Sequence, residues 1–259
     1  MAGWGYYILL LVFLQLPILI LIIFSFNNSV LLVFPLKGFT LQWYQQLLHA
    51  TELLNAAKNS LIVGLISSFL ATALGTMAAI AIARFNFRGR DFFLNLATLP
   101  LVIPYVVLAV ALLILFNSVG APLSIWTIMV GHTIVNVPYV MLIIAARLSG
   151  FANNLEEAAM DLGATYWGTL MRVTLPISMP ALVAAFLSSF TLSFDEFSLA
   201  YFLAGTQNTL PVYLYSQLRF PSRLPLAITT AAVIITFSVT ILLLPEWLRR
   251  LGTSRAVKA

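Results

Sequence analysis

Six long apolar stretches separated by short polar segments dominate the chain. They run from about Tyr6 to Phe26, Ser60 to Ala83, Phe92 to Phe116, Leu123 to Ala146, Met179 to Ala200 and Leu226 to Leu248. A membrane-spanning helix needs about 20 mostly apolar residues, so each stretch is long enough to cross a bilayer. The first is too long for the apolar region of a signal peptide and lacks a basic start, so it is expected to be retained. Between the first two stretches, LQWYQQLLHATELLNAAKNS repeats apolar residues at helical spacing. This predicts an amphipathic helix on the outer surface or capping the bundle, with Trp43 and Tyr44 at the membrane interface.

The segment from Phe151 to Ser178 breaks the apolar pattern with EEAAMDLGATYWGTLMRVTLP at its centre. Asn154 is a good helix cap, and Glu157 three residues later completes a capping-box spacing. Leu155, Ala158, Ala159 and Leu162 then share one helical face, and Glu157 and Asp161 another. Gly163 permits a sharp turn. Thr165 can cap a second short helix carrying Tyr166, Trp167, Leu170 and Met171, and Pro176 and Pro180 punctuate the start of the fifth span. The expected unit is a helical hairpin too short to span, whose aromatics beside carboxylates suit protein docking. An amphipathic loop resting on the membrane is the alternative that spacing leaves open.

Composition agrees with the spans. Of 259 residues, 61% are hydrophobic and 8% charged, whereas a soluble domain is about 25% charged. Cysteine is absent, which removes disulfides, thiolate metal sites and a cysteine nucleophile. The pI of about 9.7 reflects loop placement rather than nucleic-acid binding. With six spans, Arg84, Arg88, Arg90, Arg147, Arg172, Arg249, Arg250, Arg255 and Lys258 fall on one side of the membrane. Only Lys37, Lys58, Arg219 and Arg223 fall on the other. The richer side is expected to be cytoplasmic, and both termini with it.

Glu157-Ala158-Ala159, Gly163 after three more residues, Val173 after nine more, and Leu175-Pro176 after one more form a fixed series of offsets. They resemble the EAA signature of ABC-importer permease subunits. SFNNS, ARFNFRGR, GHTIVNVPYV, SSFTLSFDEFSLAYFLAG and TLPVYLYSQLRF extend the resemblance along nearly the whole chain. They are similar to the shorter permease of spermidine/putrescine importers. The resemblance implies an all-α integral membrane protein of type I ABC-importer permease fold in a bacterial inner membrane. Its hairpin would be a coupling helix seated in a groove of a cytoplasmic ATP-binding subunit. Glu156, Glu157, Ala158, Ala159, Asp161, Gly163, Leu175 and Pro176 would form that coupling element, with Glu157 meeting basic groups. The implied assembly holds a dimer of ATP-binding subunits, a sister permease in a heterodimer, and an extracytoplasmic binding protein. No cofactor is expected on this chain, with ATP and magnesium on the partner subunits. The chain lacks a GxxxxGK[ST] loop to cradle a nucleotide.

Asp195 and Glu196 fall in the outer half of span five, where a carboxylate must face water or a partner. Beside Phe194, Phe197 and Tyr201 they suit an ammonium group by charge and cation–π attraction. Meeting an arginine or hydroxyls of the sister subunit, or solvating the periplasmic mouth, is the structural alternative. Polyamine permeases carry an acidic residue after a proline of span three, where Pro104 is here followed by Tyr105. That departure widens the expected cargo to mono-cationic, zwitterionic or amine-bearing anionic solutes, and the alternative to a polyamine is a non-cationic solute such as an opine, an amino acid or a small anion. His132 is expected to bond between helices, with proton relay as the alternative. Asn136, Pro138 and Tyr139 share its helix and are candidate pathway residues. Pro100, Pro104 and Pro138 mark expected bends, and Gly64 and Gly75 close helix packing. HExxH and GxSxG are absent, so hydrolase chemistry is not expected. An ion-coupled secondary transporter is the competing class, and it would have no use for the hairpin.

Overall fold

In the computed structural model the described residues are 2–150 and 154–256, with side chains described for 4–150, 154–241 and 243. Phe151, the first residue of the polar segment, and Lys258 of the basic set lie outside the described residues. The helices are α1 (Ala2–Ser25), α2 (Gln42–His49), α3 (Thr51–Arg84), α4 (Arg90–Val102), α5 (Tyr105–Ser118) and α6 (Ile125–Ser149). They continue as α7 (Asn154–Asp161), α8 (Tyr166–Thr169), a π turn (Leu170–Thr174), α9 (Leu175–Phe194), α10 (Ser198–Leu203), α11 (Leu210–Gln217) and α12 (Leu224–Ala256). Among the described residues, five helical segments are long and apolar enough to cross a membrane: Trp4–Ser25, Thr51–Arg84, Ile125–Ser149, Tyr166–Phe194 and Pro221–Ile241. The bent pair α4–α5 makes a sixth if it counts as one span.

That pair stands where one span with bends at Pro100 and Pro104 was expected over residues 92–116, and α4 and α5 meet at 104°. The cause is local. Ile103 precedes a proline and is extended, with φ −74° and ψ 128°, the conformation that pre-proline crowding favours. Pro104 has no N–H to continue the ladder, and helical bonding resumes with Leu108 N–H donating to the Pro104 carbonyl at 3.0 Å. Pro100 and Pro138 lie within α4 and α6, so of the three expected breaks only Pro104 ends a helix.

The chain divides into two compact units, one of residues 1–58 and 209–239 and one of 59–208 and 240–259. In the first, the outer amphipathic segment is not one helix. Ala50, at ψ 88°, ends α2, and residues from Thr51 onward belong to the long α3. Asn27, of the SFNNS stretch, is buried and organises this unit. Its Oδ1 accepts from Lys37 N–H at 3.1 Å, and its carbonyl accepts from Trp43 Nε1 at 2.9 Å. Ser25 Oγ lies 2.7 Å from the Tyr44 hydroxyl, and Thr229 Oγ1 donates to the Ser25 carbonyl at 3.3 Å. The polar residues of SFNNS therefore fold the outer loop onto the end of α1.

The second unit packs on alanines and branched residues. Ala71, Ala79, Val140, Met141, Ile144 and Ala185 form one buried cluster. A Cβ on Gly75 would lie 2.9 Å from the Val137 carbonyl oxygen. A Cβ on Gly64 would lie 2.9 Å from the Phe190 ring. Both glycines thus sit where α3 approaches α6 and α9 too closely for a side chain, the small-residue packing expected between helices in lipid.

Candidate functional site

The polar segment folds as the hairpin its spacing predicts, with a different second arm. Helix α7 ends in a Schellman motif. Ala164 N–H donates to the Ala159 carbonyl at 3.0 Å and Gly163 N–H to the Met160 carbonyl at 2.9 Å. Gly163 holds φ +89°, which an L side chain rarely adopts. Thr165 Oγ1 accepts from Gly168 N–H at 3.2 Å and caps the next helix. Asn154 stands in α7 directly after residues 151–153, which lie outside the described residues.

The second arm is not an isolated short helix, and span five does not begin at Met179. Helix runs without interruption from Tyr166 to Phe194. Leu175 N–H reaches back five residues to the Leu170 carbonyl, so the π turn inserts one extra residue. Pro176, on the next position, has no N–H to offer the carbonyl four residues behind it, and it lies within the helix along with Pro180. Tyr166 and Trp167 line a groove of 980 Å³ with Thr72, Thr76, Val183 and Phe186, all from α3 and α8–α9. The groove is apolar apart from the threonines, and the Thr72 and Thr76 hydroxyls within it are buried without a hydrogen-bond partner.

The two neighbouring acids of the hairpin have opposite surroundings. Glu157 is exposed, as are Ala158 and Asp161, while Leu162 is 90% exposed. The face of Leu155, Ala158 and Leu162 is thus open rather than packed on this chain, with Ala159 half-buried. Glu156 points inward. Its Oε2 lies 2.9 Å from Arg84 Nε, and its Oε1 accepts from Thr174 Oγ1 at 2.7 Å. Downstream, Leu175 is half-buried and Pro176 exposed.

A second polar cluster lies where α9 gives way to α10. Asp195 and Glu196 are not inside a span: Phe194 ends α9, and Ser198 starts α10. They also do not act as a matched pair. Asp195 is exposed. The Glu196 side chain is 9% exposed, and its Oε2 accepts from Leu199 N–H at 2.8 Å and Ala200 N–H at 3.2 Å. A carboxylate at the start of a helix faces unpaired N–H groups and the positive end of the dipole. His132 Nε2 stands 3.3 Å from the same oxygen, and His132 Nδ1 lies 2.6 Å from Ser193 Oγ. Ser193 Oγ is in turn 2.9 Å from Ser67 Oγ. One chain of polar atoms thus joins α3, α6 and α9 to the start of α10, and His132 is the interhelical bonder within it.

Tyr105, His132, Asn136 and Glu196 line one small cavity of 20 Å³, room for about one water and no solute. Asn136 Nδ2 donates to the Ser189 carbonyl at 3.4 Å. Tyr139, half-buried on the same helix, does not line that cavity. Phe194 is buried and stacks on Phe190 with centroids 5.7 Å apart. Tyr201 is 44% exposed and lies 5.3 Å from the Phe197 ring. Ser67, Ser193 and Arg84 are the site residues that sequence reading passed over. Two are serines within apolar runs, and Arg84 reads as an ordinary loop cation. A group of three or more metal-ligating side chains suited to an ion does not occur among the described residues.

Residues 71–251, well over half of the chain, match the family described as binding-protein-dependent transport system inner membrane component. The chain belongs to that family. The match includes both the hairpin and the His132–Glu196 cluster. As a member, the chain is a multi-pass inner-membrane permease subunit of an ABC importer. It is 36% identical over 216 residues to the spermidine/putrescine transport system permease protein PotC of Escherichia coli K12, covering 83% of this chain and 81% of that one. It is 38% identical over 228 residues to the putrescine transport system permease protein PotI of the same organism, covering 84% and 81%. The fold matches a permease chain in the crystal structure of a bacterial alginate ABC transporter in complex with its pentasaccharide-bound periplasmic protein. There the TM-score is 0.73 at 19% identity, over 97% of this chain and 93% of the other. Membership of that family removes the secondary-transporter alternative.

Proposed function

We propose that this permease carries a small amine-bearing solute of the polyamine class, driven by ATP hydrolysed on a partner subunit. The similarity to PotC and PotI carries the substrate reading. The hairpin supports the coupling reading, because α7 presents Glu157, Asp161 and Leu162 outward from a rigid capped turn. The ATP-binding subunits would dock there and hold the ATP and magnesium. A sister permease would complete the pathway, and the apolar groove with its two unpartnered threonine hydroxyls supports a helix packing against α3 and α9. An extracytoplasmic binding protein would deliver the solute, and both termini would lie in the cytoplasm, a reading that the charge bias supports.

The cluster's cavity is too small for a solute, so substrate contact belongs to the exposed groups, Asp195 and the Tyr105 and Tyr201 rings. Asp195 would pair with an ammonium group, and the rings would add cation–π attraction. The test combines a calorimetric screen of the partner binding protein with uptake by the complex in proteoliposomes. Putrescine or spermidine should bind, and Asp195→Asn should lower putrescine uptake roughly tenfold or more. Binding only of an anion without an amine, or uptake indifferent to Asp195→Asn, contradicts the substrate reading.

A further inference from the structure

Two adjacent carboxylates of the hairpin do different work, and the inner one has no docking face. Glu156 joins three elements through one side chain. One oxygen meets Arg84 at the C-terminal end of α3, and the other accepts a hydrogen bond from the hydroxyl of Thr174, the last residue of the π turn. Arg84 extends the tie to a fourth element, since its Nη1 donates to the Leu148 carbonyl at 3.3 Å, near the end of α6. The Arg84 and Glu156 side chains are 10% and 13% exposed, so the pair is shielded from screening by salt.

A buried ion pair is weak evidence for stability, because desolvation offsets most of its attraction; fixing one arrangement over others is its better-attested use. Here the arrangement is mechanical. Helix α7 is the short lever here, and Glu156 ties it to α3 and the π turn and, through Arg84, to α6. The π turn sits where the lever meets α9. A π turn within an α-helix is a strained register that recurs at functional positions. Thr174 ties that turn to the lever through the Glu156 carboxylate.

We propose that Glu156 is a positioning residue for coupling: it carries displacement of the hairpin into α3 and the π turn through Arg84 and Thr174, while Glu157 does the docking. This rests on the ATP-coupling reading above. It separates two properties that a single docking motif would lose together, namely retention of the ATPase and transmission of its movement.

The absence of cysteine gives a direct readout. A cysteine replaces Leu192, which is 42% exposed and lines the His132–Glu196 cavity. Its rate of maleimide modification is measured in the full complex, with and without ATP plus vanadate. The otherwise unsubstituted complex should show a change of about tenfold. Glu156→Gln should keep the ATPase bound on purification but reduce the change to under about twofold. The exchange of Arg84→Glu with Glu156→Arg should restore it, which general destabilisation would not allow. Thr174→Val, removing one tie only, should give an intermediate change and serves if Glu156→Gln fails to accumulate. A full response in Glu156→Gln or Thr174→Val overturns the proposal. So does loss of the ATPase from the Glu156→Gln complex, which would make Glu156 a docking residue, and so does an exchange that fails to restore. No response in the unsubstituted complex would sink the ATP-coupling reading itself.

Discussion

Glu157→Arg is expected to abolish ATP-driven transport, by about a hundredfold or more, while the permease remains folded. The side chain is exposed on α7, one turn from exposed Asp161, so its replacement disturbs no packing within the chain. Surface substitutions of this kind ordinarily change stability by about 0.5 kcal/mol or less. In a docked complex the same change sets a cation against the basic groups that a coupling acid would meet, and such like-charge contacts cost several kcal/mol. Every 1.4 kcal/mol is tenfold in association, so two or three such increments empty the interface. The checks are co-purification of the ATPase and uptake in proteoliposomes, beside thermal unfolding of the permease. Retained ATPase and retained uptake would remove Glu157 from the docking face.

Glu196→Ala should show the opposite pattern, a large loss of stability that also lowers uptake. The carboxylate is nearly buried and serves two N–H groups at the start of α10 together with His132. Removing it strands the His132 Nε2 and both backbone donors in a setting with little water. Leaving a buried donor without its acceptor costs roughly 1–3 kcal/mol for each group stranded. Glu196→Gln keeps an accepting oxygen and should lose less. Asp195→Asn, one residue away and exposed, should lower the unfolding temperature much less than Glu196→Ala in the same detergent. If Glu196→Ala unfolds at the unsubstituted temperature, the polar chain from Ser67 to Glu196 does not hold these helices together.

Long-period features were legible in the sequence and short-range ones were less so. Apolar length located the spans, because lipid admits few other solutions for a backbone. Gly163 and Thr165 announced the hairpin turn, since a positive φ and an N-cap each select few residue types. Proline was a poorer guide. Pro104 turns the chain through 104°, yet Pro138 and Pro176 sit within helices, because the lost bond is tolerated where neighbours or a π turn absorb it. The Asp195-Glu196 pair misled for a related reason. Adjacent residues leave a helix end about 100° apart, so one acid turned to the cap and the other to the outside. Glu156 and Glu157 repeat the lesson within α7. Of the Ser67–Ser193–His132 chain only His132 stood out in the sequence, as an interhelical bonder, and its serine partners did not, because they lie on helices far apart along the chain.

Reconstitution of this permease with its ATPase, sister permease and binding protein decides whether it is an ATP-coupled importer subunit. The expected result is putrescine uptake that requires ATP and the binding protein, with ATP hydrolysis stimulated by the loaded binding protein. Uptake driven by an ion gradient without ATP, or hydrolysis indifferent to the loaded binding protein, would contradict it.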